Sequence, residues 1–277
     1  MKEPHAKEIR FPPFHDAVRQ LSFRNRQLAE QSLALVPLSL EAQPEALIVL
    51  GLVEFWHHRN WPLALHHFHQ AERLNPSDSN GPMFHAHVHS ILRQHPQALE
   101  TIQRARELDP FSPIVNTHVG HFLYNAGQFI EALTPLNRIL SLAPQFWIAH
   151  LMHGKAKGRC GDDVSAIESF SKAHTFSSGN TEALAFRAHA LALIGERTAA
   201  EADLAALTNQ RSATYGSAVV TALANVGLGN QQAAIELLHQ AFEEHDIRLT
   251  FLAVEGRWKP LRDTGQFDAI LHRAGLS

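Results

Sequence analysis

The sequence lacks several features that whole classes of function require. It contains one cysteine, Cys160, so it can form neither an internal disulfide nor a zinc site built from several thiolates. Its apolar runs, such as residues 46–53, fall far short of the ~20 residues that cross a bilayer, and its first residues do not resemble a secretory leader. We therefore expect a cytoplasmic protein that does not engage a membrane.

The chain also lacks an excess of charge and the local motifs of common enzymes. Its 24 Lys and Arg residues face 27 Asp and Glu residues, which leaves a net charge of -3 and does not suggest nucleic acid as a ligand of this chain. It contains no Gly-rich phosphate loop, HExxH motif or kinase signature. We expect a protein that is not an enzyme and that uses no cofactor.

What the sequence does contain is a repeat with a period of 34 residues. Stepping by this period meets an alanine six times, at Ala64, Ala98, Ala132, Ala166, Ala200 and Ala234. Four positions after each alanine the residue is large and apolar: Phe68, Ile102, Leu136, Phe170, Leu204 and Leu238. Twelve positions before the last five alanines it is small: Ala86, Gly120, Gly154, Ala188 and Ala222.

These positions predict a unit of two antiparallel helices. Small residues allow the helices to approach closely, and the apolar positions continue the contact at helical spacing. A glycine five positions before the alanine suits the end of the first helix, as at Gly127, Gly161, Gly195 and Gly229. A proline that suits the end of the second helix follows in three units, at Pro76, Pro110 and Pro144. Gly51 lies one residue early, which predicts a longer turn in the first unit.

In its period and in the order of these residues the chain resembles the tetratricopeptide repeat (TPR) family, most clearly over residues 116–144. The resemblance implies an all-α, right-handed superhelical solenoid. We expect an N-terminal extension with a degenerate repeat at 1–44, six repeats at 45–245 and a C-terminal capping segment at 246–277. Five apolar residues of that segment are expected to cover the last repeat: Trp258, Leu261, Phe267, Ile270 and Leu271. Three segments, GLVEFWHHRNWPLALHHF at 51–68, ELDPFSPIVNTHVG at 107–120 and WKPLRDTGQFDAILHRAGL at 258–276, together resemble the repeat-bearing C-terminal half of bacterial signalling proteins that carry a winged-helix, kinase or cyclase domain.

One stripe of each first helix is expected to face the hollow of the superhelix, where it is exposed to solvent. In the middle repeats this stripe carries imidazoles, two cations, an amide and a phenol: His87, His121, Tyr124, Asn125, Lys155, Arg159 and His189. Such a groove suits a protein or peptide partner, extended or helical, with apolar anchors and some acidic character. The Lys and Asn pair of the TPR carboxylate clamp is missing from every unit, so chaperone tails are not expected partners.

Twenty histidines raise the possibility of a metal site. Four pairs have helical spacing: His66/His69, His85/His89, His118/His121 and His150/His153. A histidine content this high produces about that many pairs without selection, so we expect no metal site. Because histidine titrates near neutrality, a second hypothesis is that mild acid loosens the solenoid or changes its partner.

The sequence thus favours a non-enzymatic scaffold that binds a protein or peptide in its concave groove. The alternative is the sensor or regulatory half of a bacterial signalling or transcription-regulator system, responsive to pH or to a small ligand. A hydrolase built from groove histidines is the weakest hypothesis. Cys160 occupies a position that is apolar in other repeats, so we expect it to be a small apolar filler rather than a nucleophile. Neither the partner nor the oligomeric state follows from the sequence.

Overall fold

The computed structural model describes residues 43–213, 216–262 and 265–277. The degenerate repeat expected within residues 1–44 lies outside these ranges except for its last two residues. Across the described residues the protein consists of helices joined by short turns, with no strand, which confirms the predicted all-α solenoid.

Twelve of the helices pair into six successive hairpins. The first three hairpins are α1 (Pro44–Val53) with α2 (Trp61–Leu74), α3 (Asn80–Ile91) with α4 (His95–Leu108), and α5 (Pro113–Asn125) with α6 (Phe129–Leu142). The next three are α7 (Trp147–Arg159) with α8 (Asp163–Phe176), α9 (Thr181–Leu193) with α10 (Arg197–Ala213), and α11 (Ala218–Gly227) with α12 (Gln231–Glu243). Two 3-10 turns, Ile247–Phe251 and Gly256–Trp258, lead to the short helices α13 (Lys259–Arg262) and α14 (Gln266–Arg273).

The alanines of the repeat lie where the two helices of a hairpin meet. All six are buried, with exposures of 0–1%. The small residue of the facing helix is needed for the same contact, because a Cβ on Gly120 would lie 2.6 Å from Cγ of Leu136. On Gly154 it would lie 2.6 Å from Cε1 of Phe170. The small residues of the pattern are therefore required where the two helices of a hairpin approach closely.

The turns inside the hairpins follow the predicted glycine rule in the last four repeats. Gly127, Gly161, Gly195 and Gly229 have φ angles of 80–86°, in the left-handed region that favours glycine. In the first hairpin, a π-helical turn over Glu54–His58 accommodates one extra residue, as the early position of Gly51 predicts.

Arginine replaces glycine at the equivalent turns of the first two hairpins. Arg59 and Arg93 adopt φ angles of 53° and 59°, a conformation that costs a non-glycine residue about 1–2 kcal/mol. Both side chains reach towards the C-terminal part of the chain. The Arg93 Nη2 donates to the carbonyl of Ala253 at 3.2 Å, and the Arg59 guanidinium lies 5.3 Å from the ring centroid of Phe242.

The solenoid is curved so that its first hairpin contacts its last. Besides the contact of Arg59 with Phe242 on α12, the indole Nε1 of Trp61 donates to the carbonyl of Gly275 at 3.4 Å. The five apolar side chains expected to cover the last repeat are all buried. Among the described residues, no helix combines the length and the apolar character needed to span a bilayer.

Candidate binding site on the concave face

The chain's own C-terminal segment occupies much of the hollow of the solenoid. We define this segment as residues 247–258, the two 3-10 turns and the residues between them. The ring of Phe251 lies 5.3 Å from that of Trp56 and 6.2 Å from that of His121, centroid to centroid. Since Trp56 belongs to the first hairpin and His121 to the third, the segment bridges repeats that are far apart in sequence.

This arrangement changes the environment of the predicted groove stripe. The expectation that the stripe faces solvent is wrong for five of its seven residues, which are at most 8% exposed: His87, His121, Tyr124, Lys155 and His189. Asn125 is half-buried and donates from Nδ2 to Ser90 Oγ at 2.8 Å. Arg159 alone is exposed, and its guanidinium lies 4.7 Å from the ring centroid of Phe129. Their role in binding a partner stays a prediction.

A buried carboxylate of the C-terminal segment organises one end of the site. The hydroxyl of Tyr124 donates to Glu255 Oε1 at 2.8 Å, and Lys155 Nζ lies 3.0 Å from Oε2 of the same carboxylate. Arg257 completes the group, since its Nη1 lies 3.2 Å from Glu255 Oε1 and 2.9 Å from the Tyr124 oxygen. We call Tyr124, Lys155, Glu255 and Arg257 the ion-pair cluster.

Electrostatics keep this cluster ionised although it is buried. Burial alone would raise the pKa of Glu255, but the neighbouring cations Lys155 and Arg257 outweigh it and lower the pKa to about 2. Burial raises the pKa of Tyr124, and the Glu255 charge raises it further, so the phenol stays protonated and donates. The ring of Phe186 lies between the two cations, 4.7 Å from Lys155 Nζ and 4.9 Å from the Arg257 guanidinium.

Three histidines organise the other end of the site. His87 of α3 meets His118 and His121 of α5, and one ring nitrogen from each lies within 4.8 Å of the other two. The ring centroid of His87 is 4.6 Å from that of His118 and 5.6 Å from that of His121. We call these three residues the histidine cluster.

The imidazoles of the histidine cluster are held in the neutral form. Burial lowers the pKa of His118 to about 4 and holds the pKa values of His87 and His121 well below their usual range. His118 Nδ1 donates to the carbonyl of Ile114 at 2.8 Å, which fixes its tautomer and leaves Nε2 with a lone pair. His87 Nδ1 is buried and has no hydrogen-bond partner among the described residues.

Between the two clusters lies a cavity of about 350 Å³. Its walls are mainly apolar and include Met83, Trp147 and Leu223. The polar groups facing it include the histidine cluster, Lys155 and Glu255 of the ion-pair cluster, and the pair Glu182 and Arg248. A cavity of this size with a few convergent polar groups has the character of a ligand site.

Sequence analysis missed three residues of this site. Glu255 and Arg257 stand in an otherwise apolar stretch, residues 249–258, and two charges among so many apolar residues are a sign of a buried ion pair. His118 was noted only as half of a helical pair. Because His87 and His121 hold the same position in adjacent repeats, aligning the repeats would have put all three rings together.

The expectation that Cys160 fills an apolar gap is wrong. The residue caps the C-terminal end of α7 and is exposed. It follows the last helical residue, Arg159, so the apolar residues at the same position of other repeats are a poor guide to its burial.

The overall architecture is shared with solved TPR structures, although no family model and no curated protein matches the chain. PilF of Pseudomonas aeruginosa is 20% identical with a TM-score of 0.54, over 73% of this chain and 91% of that one. A tetratricopeptide repeat protein from Parabacteroides merdae is 14% identical with a TM-score of 0.57, over 84% of each chain. The Cut9–Hcn1 hetero-tetramer of APC/C contains a chain 19% identical with a TM-score of 0.61, over 88% of this chain and 45% of that one. At these identities the likeness establishes the solenoid fold.

Proposed function

We propose that this protein is a non-enzymatic scaffold whose concave face binds an extended, acidic segment of a partner protein. The observation that carries the proposal is the hydrogen bond of Tyr124 and the ion pair of Lys155 with the Glu255 carboxylate. The concave wall already accommodates residues 247–258, and it binds the one carboxylate of this segment although the segment also carries Arg248 and Arg257. A partner segment with the same chemistry would compete with residues 247–258 for the same contacts.

The test places a photo-crosslinking amino acid at one of two positions in the full-length chain. Trp147 lines the cavity, whereas Ile130 is 74% exposed on α6 and serves as the control position. In lysate of the source cell, we expect a discrete crosslinked protein from Trp147 and none of it from Ile130. The same partner crosslinked only from Ile130 would contradict a concave site.

A competing peptide then tests the acidic character of the partner. A synthetic peptide with the sequence of residues 249–258 should reduce crosslinking at Trp147. The matched peptide with glutamine in place of its only glutamate should compete at least about tenfold less well, because a charge-assisted contact with Lys155 is lost. Equal competition by the two peptides would show that the glutamate carboxylate does not contribute to binding.

The cavity supports a second candidate function, a regulatory protein that senses a small ligand. A volume of about 350 Å³ falls within the range of small-molecule sites. Native mass spectrometry of the protein purified from its source should then detect a retained small molecule. Leu223→Trp would fill the cavity and abolish retention, whereas Leu193→Trp, at a site that is 60% exposed, would not. Retention unaffected by Leu223→Trp would exclude the cavity as the ligand site.

A further inference from the structure

We propose that the histidine cluster, His87, His118 and His121, binds a divalent transition-metal ion of the zinc type. Three imidazoles with one remaining coordination position form a known kind of zinc set, and imidazole nitrogen suits first-row transition metals generally. The fourth position would open towards the cavity, which all three histidines line.

The repeat geometry brings the three ligands together. His118 and His121 are three residues apart on α5 and therefore share one face of that helix. His87 occupies, one repeat earlier, the position that His121 holds in its own repeat, so stacking of α3 on α5 places the two rings side by side. The three ligand nitrogens lie within 4.8 Å of one another, whereas nitrogens bound tetrahedrally at 2.0–2.1 Å are about 3.3 Å apart. Small rotations of the rings bring them to this spacing.

The chemical state of the rings suits a cation. A metal ligand must be a neutral imidazole, and burial keeps all three rings neutral at physiological pH. The hydrogen bond from His118 Nδ1 to the Ile114 carbonyl is the support that metal-binding histidines commonly have, and it leaves Nε2 as the nitrogen that can bind a metal. The buried, unpartnered Nδ1 of His87 would cost less if it met a ligand.

The surrounding charges permit a cation at this point. Lys155 is the cation that most affects His121, and its ion pair with Glu255 at 3.0 Å reduces its repulsion of a bound ion. Glu182 faces the same cavity and is paired with Arg248, whose Nε lies 3.7 Å from its Oε2, so these two residues add no net charge to the wall.

A second group with metal-ligand chemistry, His69, Glu72 and His85, lies on the outer part of the first two repeats. Its carboxylate is already committed, because Glu72 contacts His85 Nδ1 at 2.9 Å and Arg104 Nη2 at 2.8 Å. His69 is exposed. This second group is therefore the natural control for metal binding.

The test is titration of the full-length, chelator-treated protein with Co²⁺, whose visible absorption becomes intense in four-coordinate sites. Wild type and His69→Gln should each bind one Co²⁺ tightly, and Zn²⁺ should displace it. His118→Gln and His121→Gln should each weaken binding at least about 100-fold, with helical circular dichroism unchanged. X-ray absorption of the zinc-loaded wild type should show three imidazole ligands.

The proposal would be overturned by tight binding that persists in His118→Gln and His121→Gln, or by binding that His69→Gln abolishes. Weak six-coordinate binding in the wild type would overturn it as well. The X-ray absorption measurement uses no variant, so fewer than three imidazoles around zinc would decide against the site even if the glutamine variants did not fold.

Discussion

The two polar clusters on the concave wall differ in how completely their groups are paired. In the ion-pair cluster, the Glu255 carboxylate meets Lys155, Arg257 and the Tyr124 hydroxyl. Within the described chain, the histidine cluster has one hydrogen bond, which His118 donates to Ile114, and His87 Nδ1 has no partner. The third hairpin contributes to both clusters, and all their residues are buried except His118, which is half-buried.

This difference separates a cluster whose charges are paired within the chain from one whose ring nitrogens are mostly unpaired within the described residues. Charges that are buried and mutually satisfied hold a segment in place, and removing one leaves the others unpaired. A neutral ring does not stabilise the fold through a nitrogen that lacks a hydrogen bond, and that nitrogen remains available to a ligand. The ion-pair cluster therefore holds the C-terminal segment in place, and the histidine cluster offers nitrogens to the metal ion proposed above.

The largest expected effect is loss of the carboxylate in the ion-pair cluster. Glu255→Gln leaves Lys155 and Arg257 buried without their counter-charge, so the free energy of unfolding should fall by about 3–5 kcal/mol in urea denaturation. Glu243→Gln is the matched control, because its pair with Arg273 is mostly exposed and should contribute at most about 1 kcal/mol. Equal losses in the two variants would contradict a structural role for the ion-pair cluster.

The next effect is a loss of stability in mild acid. His189 is buried on α9, faces Arg257 and Glu255, and has a pKa of about 4 because of burial and then the Arg257 charge. In the unfolded chain its pKa is near 6.5, so below that value the unfolded state binds the extra proton and stability falls as pH falls towards 4. The slope is about 1.4 kcal/mol per pH unit for each such histidine.

Urea denaturation between pH 7.5 and 5.5 measures this slope. The window lies well above the pKa of Glu255, about 2, so the ion-pair cluster stays charged throughout. We expect the midpoint to fall in the wild type and to fall less steeply in His189→Gln. A constant midpoint in the wild type would refute the hypothesis that buried histidines make the solenoid acid-sensitive.

A smaller effect is expected in the histidine cluster without metal. His87→Leu replaces an unpaired buried ring by an apolar side chain, so in the presence of a chelator the free energy of unfolding should change by no more than about 1 kcal/mol. A loss as large as that of Glu255→Gln would mean that both clusters are structural, and the comparison between them would fail.

The smallest effect is expected at Cys160. Its side chain is exposed, so Cys160→Ser should alter the free energy of unfolding by less than about 0.5 kcal/mol. Thermal unfolding of the two proteins under reducing conditions gives the comparison. A loss above 1 kcal/mol would indicate that Cys160 packs as an apolar side chain, as the sequence predicted.

The sequence predicts what depends on contacts within one repeat. The hairpins follow from residues at most 34 positions apart, such as Ala132, Leu136 and Gly120, and the turn at Gly127 follows from its own backbone. The position of the groove stripe on α3, α5, α7 and α9 also follows from the period. These features are local, so a periodic pattern records them.

What the sequence does not predict depends on the sum of many small rotations between repeats. The curvature that brings Trp61 to Gly275 corresponds to no repeating pattern in the sequence. The burial of Tyr124 and Lys155 depends on that curvature and on Glu255, more than 90 residues away. The occupant of the groove, and therefore the environment of its residues, could not be inferred from the stripe alone.

Contact between the first and last hairpins also alters how such a chain folds. In an open repeat array each unit depends only on its neighbours, so folding can start anywhere and the ends fray independently. Here the hydrogen bond from Trp61 to Gly275 joins residues 214 positions apart, and contacts of such separation slow folding and raise its cooperativity. During synthesis the first hairpin lacks the contact of Trp61 with Gly275 until the end of the chain has been made. An inserted or deleted repeat would shift the ends out of register, so the number of repeats is fixed by geometry rather than free to vary.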